Sequence, residues 1–340
     1  MSFLPGNGRQ KAGEKTKKRR RRRRVLILAA AVLLLYAGCY AAGRFRFTVT
    51  RYEISSVRAA APVRIVSLSD LHGWTFGRDN ERLIARIREL KPDLIAIAGD
   101  MLTRQDADRS REVTLSLCRE LVLLAPVVYT YGNHENELAY GTDITPEFLE
   151  EQERLGRVDA EGTVLFEQIP ESDEGPKAEL EALGVRILNN RAVSLTVAGQ
   201  PVGVAGIDNL SGTYFPYSYR MTERFLTERP GELKILLAHR PVVIRDGVNL
   251  QEGLSYDLAL CGHTHGGIIR LPVLGEMFRD GRIWPPFTGE ESGLHKTEHG
   301  TVMTGRGLGN SNWLPRIGTI PELVVVDIRP AQITDKVKGE

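Results

Sequence analysis

Seven histidines occur in the chain, and five of them belong to one ordered series of short polar motifs. The series runs Asp70-Leu71-His72, Gly99-Asp100, Gly132-Asn133-His134-Glu135, His239 and Gly262-His263-Thr264-His265. Aspartate and asparagine oxygens together with imidazole nitrogens form the donor set of borderline divalent metals. Asp70 and His72 flank a single residue, and an extended backbone sends two such side chains to the same side. His263 and His265 repeat that spacing. Asp100 follows Gly99, where the chain can turn sharply and approach a ligand closely. One Asp-x-His or His-x-His is weak evidence; the ordered set is strong evidence.

Each motif follows an apolar run, and those runs must position it. Residues 63–69, 94–98, 127–131 and 233–238 read as buried strands, with 258–260 following. Residues 79–90 carry apolar positions at 83, 84, 87 and 90 and read as a helix, as do residues 112–124. Strand and helix alternate in this stretch, which predicts an α/β sheet with helical layers. In such sheets sites form at the carboxyl edge of the strands. Further strands are expected over 185–188, 193–197, 202–207, 301–303 and 323–328. Residues 137–177 are acidic, lack a long apolar run and contain Gly162, Pro170, Gly175 and Pro176. They read as an insertion with a helix over 146–155, either a surface loop or a cap over the site.

The chain has 340 residues, with 42% hydrophobic and 26% charged, enough for a sizeable core. Its net charge of +2 conceals an asymmetry. Residues 1–43 hold eleven Lys/Arg and one Glu, a net of +10, and the remainder holds 34 basic and 42 acidic residues, a net of −8. An acidic body argues against a nucleic-acid-binding surface. The three cysteines, Cys39, Cys118 and Cys261, are scattered and odd in number, so they form no disulfide framework. Cys261 reads as a buried strand residue rather than a sulfur ligand.

Lys17 to Arg24 is a run of eight basic residues, followed by the uncharged residues 25–42. As a helix those eighteen residues cover about 27 Å, just enough to cross a hydrocarbon core. The domain organisation is therefore expected as a basic cytoplasmic tail over 1–24 and a transmembrane anchor over 25–42. A linker over 43–62, a body over 63–330 and a polar tail over 331–340 follow. The positive-inside rule puts the tail in the cytoplasm and the body outside it. A cleaved signal peptide competes with this reading. Ala37-Gly38-Cys39 has a lipoprotein-like pattern, but Tyr36 stands where such a site takes an aliphatic residue. An uncleaved anchor is the favoured reading.

From about Ile65 to Ile328 the chain resembles the calcineurin-like metallophosphoesterases. Leu260-Cys261-Gly262-His263-Thr264-His265-Gly266-Gly267, Arg270-Leu271-Pro272, Arg306-Gly307-Leu308-Gly309 and Pro321-Glu322-Leu323 are similar to the bacterial YkuE/YaeI-type phosphodiesterases. The resemblance implies a four-layer α/β/β/α sandwich and two divalent ions, with Mn, Zn, Fe or Co suited to mixed oxygen and nitrogen ligands. It implies that Asp70, His72 and His265 hold one metal, that Asn133, His239 and His263 hold the other, and that Asp100 bridges them. Metal binding lowers the pKa of a bridging water, and the resulting hydroxide attacks phosphorus in line. His134 is left to protonate the leaving oxygen or steady the transition state, roles imidazole suits, with Glu135 placed to orient it. The alternative is a structural histidine bonded to a carboxylate. Glu135 stands where many relatives of this kind have Asp. Arg306 is read as part of a loop bordering the site, and His295 and His299 as surface residues.

The expected function is that of a membrane-anchored phosphoesterase acting chiefly on phosphodiesters. A pyrophosphatase acting on a nucleotide-linked lipid is the alternative within the enzymes, but it needs a cytoplasmic site. A non-catalytic, metal-stabilised docking module is the alternative outside them. The complete set of motifs, His134 included, weighs against the module.

Overall fold

The structure is a computed structural model. It describes residues 8–142, 145–159, 164–172, 175–207, 216–245, 253–271, 273–279, 282–283, 292–310 and 315–331. Residues 1–7 of the expected basic tail, Pro272 and all of the expected polar tail except Ala331 lie outside these. The first half contains α1 (Gly8–Phe45), β1 (Thr48–Ser56), β2 (Val63–Leu68), α2 (Glu81–Leu90), β3 (Leu94–Ala98), α3 (Ala107–Leu121) and β4 (Val127–Thr130). Next come α4 (Asn133–Tyr140), α5 (Pro146–Arg154), α6 (Lys177–Ala182), β5 (Arg186–Ile187), β6 (Arg191–Val197) and β7 (Gln200–Ile207). The second half holds α7 (Pro216–Thr227), β8 (Leu233–Ala238), α8 (Pro241–Arg245), β9 (Leu258–Cys261), β10 (Ile269–Leu271) and β11 (Gly275–Arg279). It closes with β12 (Arg282–Ile283), β13 (Gly293–Lys296), β14 (Thr301–Thr304) and β15 (Glu322–Pro330).

Two six-stranded sheets stack face to face, one ordered β1-β15-β2-β3-β4-β5 and the other β13-β14-β9-β8-β7-β6. Within them β2, β3, β4 and β5 run parallel, as do β7, β8, β9 and β14. The strands are apolar on both faces because both faces are covered. On the outer face of the first sheet Val66, Leu68, Ile95 and Ile97 meet Leu83, Ile87, Leu117 and Leu121 of α2 and α3. Alternate residues Ile65, Leu94, Val128 and Val326 point inward to Val204, Ile235, Leu237 and Leu260. On the far face of the second sheet Ala205, Leu236 and Ala259 pack against Phe225, Leu226 and Ile244 of α7 and α8. These three apolar cores separate four layers, the α/β/β/α sandwich that the resemblance implies.

The expected linker over 43–62 contains a strand. Thr48 to Ser56 of β1 run parallel to β15, from Thr48 beside Glu322 to Ser56 beside Pro330. Arg51-Tyr52-Glu53-Ile54 alternates, with the charged pair exposed and Tyr52 and Ile54 packed on the inter-sheet core. Exposed charges of this kind suit an edge strand. The insertion also has its own order. Thr145 accepts the Phe148 N–H at 3.3 Å to start α5, and Leu149, Val164, Phe166 and Ile169 form a small core with Tyr140 and Phe148.

Candidate metal centre

All the candidate residues gather at one edge of the sandwich, where β2, β3, β4, β8 and β9 end. Asp70, His72 and His265 present donor atoms within 4.8 Å of one another, and so do Asp100, His239 and His263. Asp100 lies between the groups: its Oδ2 is 3.2 Å from His239 Nε2 and 3.9 Å from His72 Nε2. Asn133 opens α4 beside it, and the next N–H, of His134, donates to Asp100 Oδ1 at 2.9 Å.

The convergence arises differently from the sequence expectation. Asp70 and His72 are not in an extended segment. β2 stops at Leu68, and Asp70 and His72 have φ of 52° and 49°. Asp100, His263 and His265 are likewise left-handed, at 55°, 73° and 53°. Each costs an L-residue about 1–2 kcal/mol. Five of them together approach the net stability of an ordinary domain, roughly 5–15 kcal/mol. Surrounding bonds must therefore impose the conformation. Asp70 N–H donates to Gly99 O at 2.9 Å, His72 N–H to Asp100 O at 3.1 Å, and His263 N–H to Asp70 Oδ1 at 2.9 Å.

Two positions need glycine for closeness. Gly99 has φ of 79°, and a Cβ there would lie 2.5 Å from Gly132 N and 2.8 Å from His239 Nδ1. At Gly132 a Cβ would run into the Asp100 carboxylate. The glycines before the two candidate ligands thus let adjacent strand ends touch.

The donor chemistry fits divalent cations. Asn133 Oδ1 is buried with no hydrogen-bond partner among the described residues. Two pairs of imidazole nitrogens face each other, His72 Nε2 with His265 Nε2 at 3.3 Å and His263 Nδ1 with His239 Nε2 at 3.2 Å. Nitrogen lone pairs so placed are stable only around a shared cation or proton. His239 Nδ1 lies 2.7 Å from the Ala98 carbonyl, which accepts its proton and turns Nε2 toward the cluster. Burial lowers the His239 pKa, but Asp100 and that carbonyl outweigh it and hold it at about 9. Burial pushes His72 down to about 3 and Asp70 up to about 6. Burial also opposes ionisation of Asp100, yet His239, His134 and His72 keep it well below the ordinary carboxylate range.

Glu135 does not orient His134. Its fully buried carboxylate accepts the N–H groups of Asp100 at 2.8 Å, Leu102 at 3.0 Å and Gly132 at 2.9 Å, and the Tyr129 hydroxyl at 2.7 Å. The third residue of α4 faces back over its own N-terminus, so Glu135 braces the Asp100 turn instead. His134 Nδ1 accepts the Arg104 N–H at 3.4 Å, and its ring stands edge-on to His72, with centroids 4.9 Å apart. The Arg306 loop borders the site as expected, with Gly309 N–H donating to the Asp70 carbonyl at 2.6 Å, but the Arg306 side chain turns away. It pairs with buried Glu322 at 2.9 Å and reaches Thr48 and Thr50 of β1. His295 and His299 are half-buried rather than on the surface, and His299 Nδ1 lies 3.0 Å from the Leu254 carbonyl. Cys261 is buried at the end of β9.

Arg316 carried no signal in the sequence and yet supports the site. It is 2% exposed and donates to the carbonyls of His265 at 2.8 Å, Gly307 at 3.3 Å and Gly309. Its Nη2 also lies 3.2 Å from His265 Nδ1, gripping the ring from the side away from the cluster. Burial lowers its own pKa to about 10.

Residues 63–267 match the calcineurin-like phosphoesterase family. The chain is 26% identical over 273 residues to the uncharacterized metallophosphoesterase YkuE of Bacillus subtilis (strain 168), covering 78% of this chain and 79% of that one. It is 26% identical over 289 residues to the phosphodiesterase YaeI of Escherichia coli (strain K12), covering 83% and 88%. It is also 28% identical over 285 residues to a transmembrane protein with metallophosphoesterase domain of Danio rerio, covering 79% of this chain and 54% of that one.

Proposed function

The chain belongs to the calcineurin-like phosphoesterase family, and from that premise we propose that it is a membrane-anchored, two-metal phosphodiesterase. The observation that carries this reading is the Asp100 carboxylate, which groups with His239 and His263 and also lies 3.9 Å from His72 of the other cluster. Two cations a few ångströms apart repel, and an anionic side chain between them offsets that repulsion. Asp70, His72 and His265 would hold one ion and Asn133, His239 and His263 the other, with Asp100 common to both. Mn, Fe, Co or Zn suit this donor set. When bound, such ions make water acidic and neutralise phosphoryl oxygens.

The remaining work falls to the chain. Because Arg104 N–H occupies His134 Nδ1, the neutral ring carries its proton on Nε2, where it can donate a hydrogen bond that steadies the charge developing on a phosphoryl or leaving oxygen. Arg316 and Glu135 keep the His265 and Asp100 turns in place. The phosphodiesterase named among the relatives supports a diester substrate. Helix α1 is apolar enough to cross a membrane over Lys18–Phe45, and its apolar stretch lies outside the body. The basic run on its amino side favours a cytoplasmic N-terminus and an extracytoplasmic catalytic body.

The test is hydrolysis of bis(p-nitrophenyl) phosphate by the detergent-solubilised full chain with added Mn²⁺ or Zn²⁺. Metal-dependent turnover should vanish in Asp100→Asn and fall about 10²–10⁴-fold in His134→Ala. A folded, metal-loaded chain with no turnover, or an Asp100→Asn variant as active as the parent, would overturn the reading.

A further inference from the structure

The anchor enters the body at the edge that carries the cluster. β1 is parallel to β15, and β15 is antiparallel to β2. Thr48, the first residue of β1, pairs with Glu322, while Val324 pairs with Ser67 at the end of β2, three residues before Asp70. Only Arg46 and Phe47 separate α1 from β1. That connection is too short to let the helix swing to another side of the sandwich.

The last turn of the anchor also touches the turns that bear the candidate ligands. The Arg44 guanidinium lies 4.8 Å from the Trp74 ring centroid and donates to the Thr75 carbonyl at 3.0 Å. Trp74 N–H in turn donates to the Leu71 carbonyl at 2.9 Å, inside the Asp70–His72 motif. On the other side Gly43 is buried against Arg316, which holds His265. A Cβ on Gly43 would lie 3.4 Å from Arg316 Cβ. Immediately before this docked turn the helix is bare: Leu33, Leu34 and Leu35 are 67%, 74% and 68% exposed. Tyr36, Tyr40 and Phe45 are exposed too, and aromatic rings of this kind collect at the headgroup level. The β10–β11 hairpin is tied to Ile317, the neighbour of Arg316, by Arg270 N–H at 2.7 Å, and it exposes Leu271 and Val273.

We propose that the site opens onto the bilayer surface and that its substrate is a phosphodiester carried by a lipid of the leaflet in which the anchor ends. This rests on the phosphodiesterase reading above and narrows its substrate to a membrane-borne one. In the reaction a water oxygen forms a new bond to phosphorus, one ester P–O bond breaks, and the leaving oxygen takes up a proton. The phosphate monoester remains on the other alcohol. A soluble diester has to diffuse into a cleft held against the membrane, whereas a lipid diester is delivered in the plane of the headgroups at high effective concentration.

The experiment uses the full chain in phosphatidylcholine vesicles and two esters of one reactive group, hexadecyl and ethyl p-nitrophenyl phosphate. Both release p-nitrophenolate, and only the hexadecyl ester inserts in the bilayer. The hexadecyl ester is expected to be cleaved with a kcat/KM about tenfold or more above that of the ethyl ester. A second chain, with about ten Gly/Ser residues inserted after Arg46, frees the body from the anchor by a reach of about 18 Å. It should keep the ethyl-ester rate and lose most of the hexadecyl advantage. Cleavage of the ethyl ester with no hexadecyl advantage would overturn the proposal and leave the phosphodiesterase reading intact. An advantage that survives the insertion would attribute it to partitioning and also overturn the proposal. Failure of both esters with metal-loaded protein would mean that the phosphodiesterase reading itself is wrong.

Discussion

The Glu135 carboxylate accepts the Asp100 N–H at 2.8 Å, although the two residues are 35 positions apart. The same carboxylate takes two more backbone donors and a tyrosine hydroxyl. It therefore fixes the turn that presents the carboxylate lying between the two clusters. Glu135→Gln should cost about 3 kcal/mol or more, since an amide turns its own N–H₂ toward buried backbone donors. Urea denaturation measures this, and an unchanged midpoint would remove Glu135 from the account of the site.

Gly132→Ala tests close approach without conformational strain. The Gly132 backbone is extended, with φ of −98°, so any loss must come from the Cβ meeting Asp100. Activity toward bis(p-nitrophenyl) phosphate is expected to fall at least about 10²-fold, as misplacing a reacting group by an ångström does. Gly141→Ala is the contrast. Its φ is 76° and nothing lies within 4 Å of the new Cβ. It should cost about 1 kcal/mol of stability and leave kcat alone.

Arg316→Lys should weaken metal retention more than its conservative appearance suggests. A lysine has no planar fork with which to reach the His265 and Gly307 carbonyls together. Loss of such support to a ligand typically lowers metal affinity about 10–100-fold. Competition with a coloured chelator reads this directly, and parent-like affinity would reduce Arg316 to a packing residue.

His134 and His263 should separate on metal removal. His134→Ala should bind two equivalents of metal and show the same rise in melting temperature on metal addition as the parent, with kcat alone reduced. His263→Ala should bind less and gain less stability. A ligand present at about 100 times its Kd contributes roughly 2.7 kcal/mol, and that contribution disappears on chelation. Equal metal content in the two variants would contradict the roles assigned to them.

Glu171 gives a pH signature in the insertion. The Tyr131 hydroxyl donates to it at 3.0 Å and Lys177 N–H at 3.3 Å, but burial outweighs both and raises its pKa. A carboxyl that holds its proton more tightly when folded contributes stability below the unfolded value, about 4.3. That contribution is lost as pH rises through the raised folded value. Measured in EDTA throughout, the gap in melting temperature between Glu171→Gln and the parent should move in favour of the variant from about pH 4 upward. A gap independent of pH would show that Glu171 ionises as it does in the unfolded chain.

Much of this protein was legible in one dimension. The Asp70-x-His72 and His263-x-His265 pairs, Gly99-Asp100, Gly132-Asn133 and the apolar runs ahead of them carry the family, the layered α/β architecture and the list of candidate ligands. They do so because donor type, strand hydrophobicity and order along the chain are local properties. The Arg51-Tyr52-Glu53-Ile54 alternation was local as well, and it marks β1 within a segment expected as a linker. What the tertiary structure alone decided rests on partners far apart in sequence. The left-handed turns at Asp70, His72, Asp100, His263 and His265 run against intrinsic preference, and bonds from partners distant in sequence hold them. Glu135 turns to Asp100 instead of His134, and Arg316 finds His265 51 residues away. Helix α1 arrives beside the cluster because β1 closes on β15, a pairing across more than 270 residues. Such pairings are set by packing and register, which no local stretch of residues encodes.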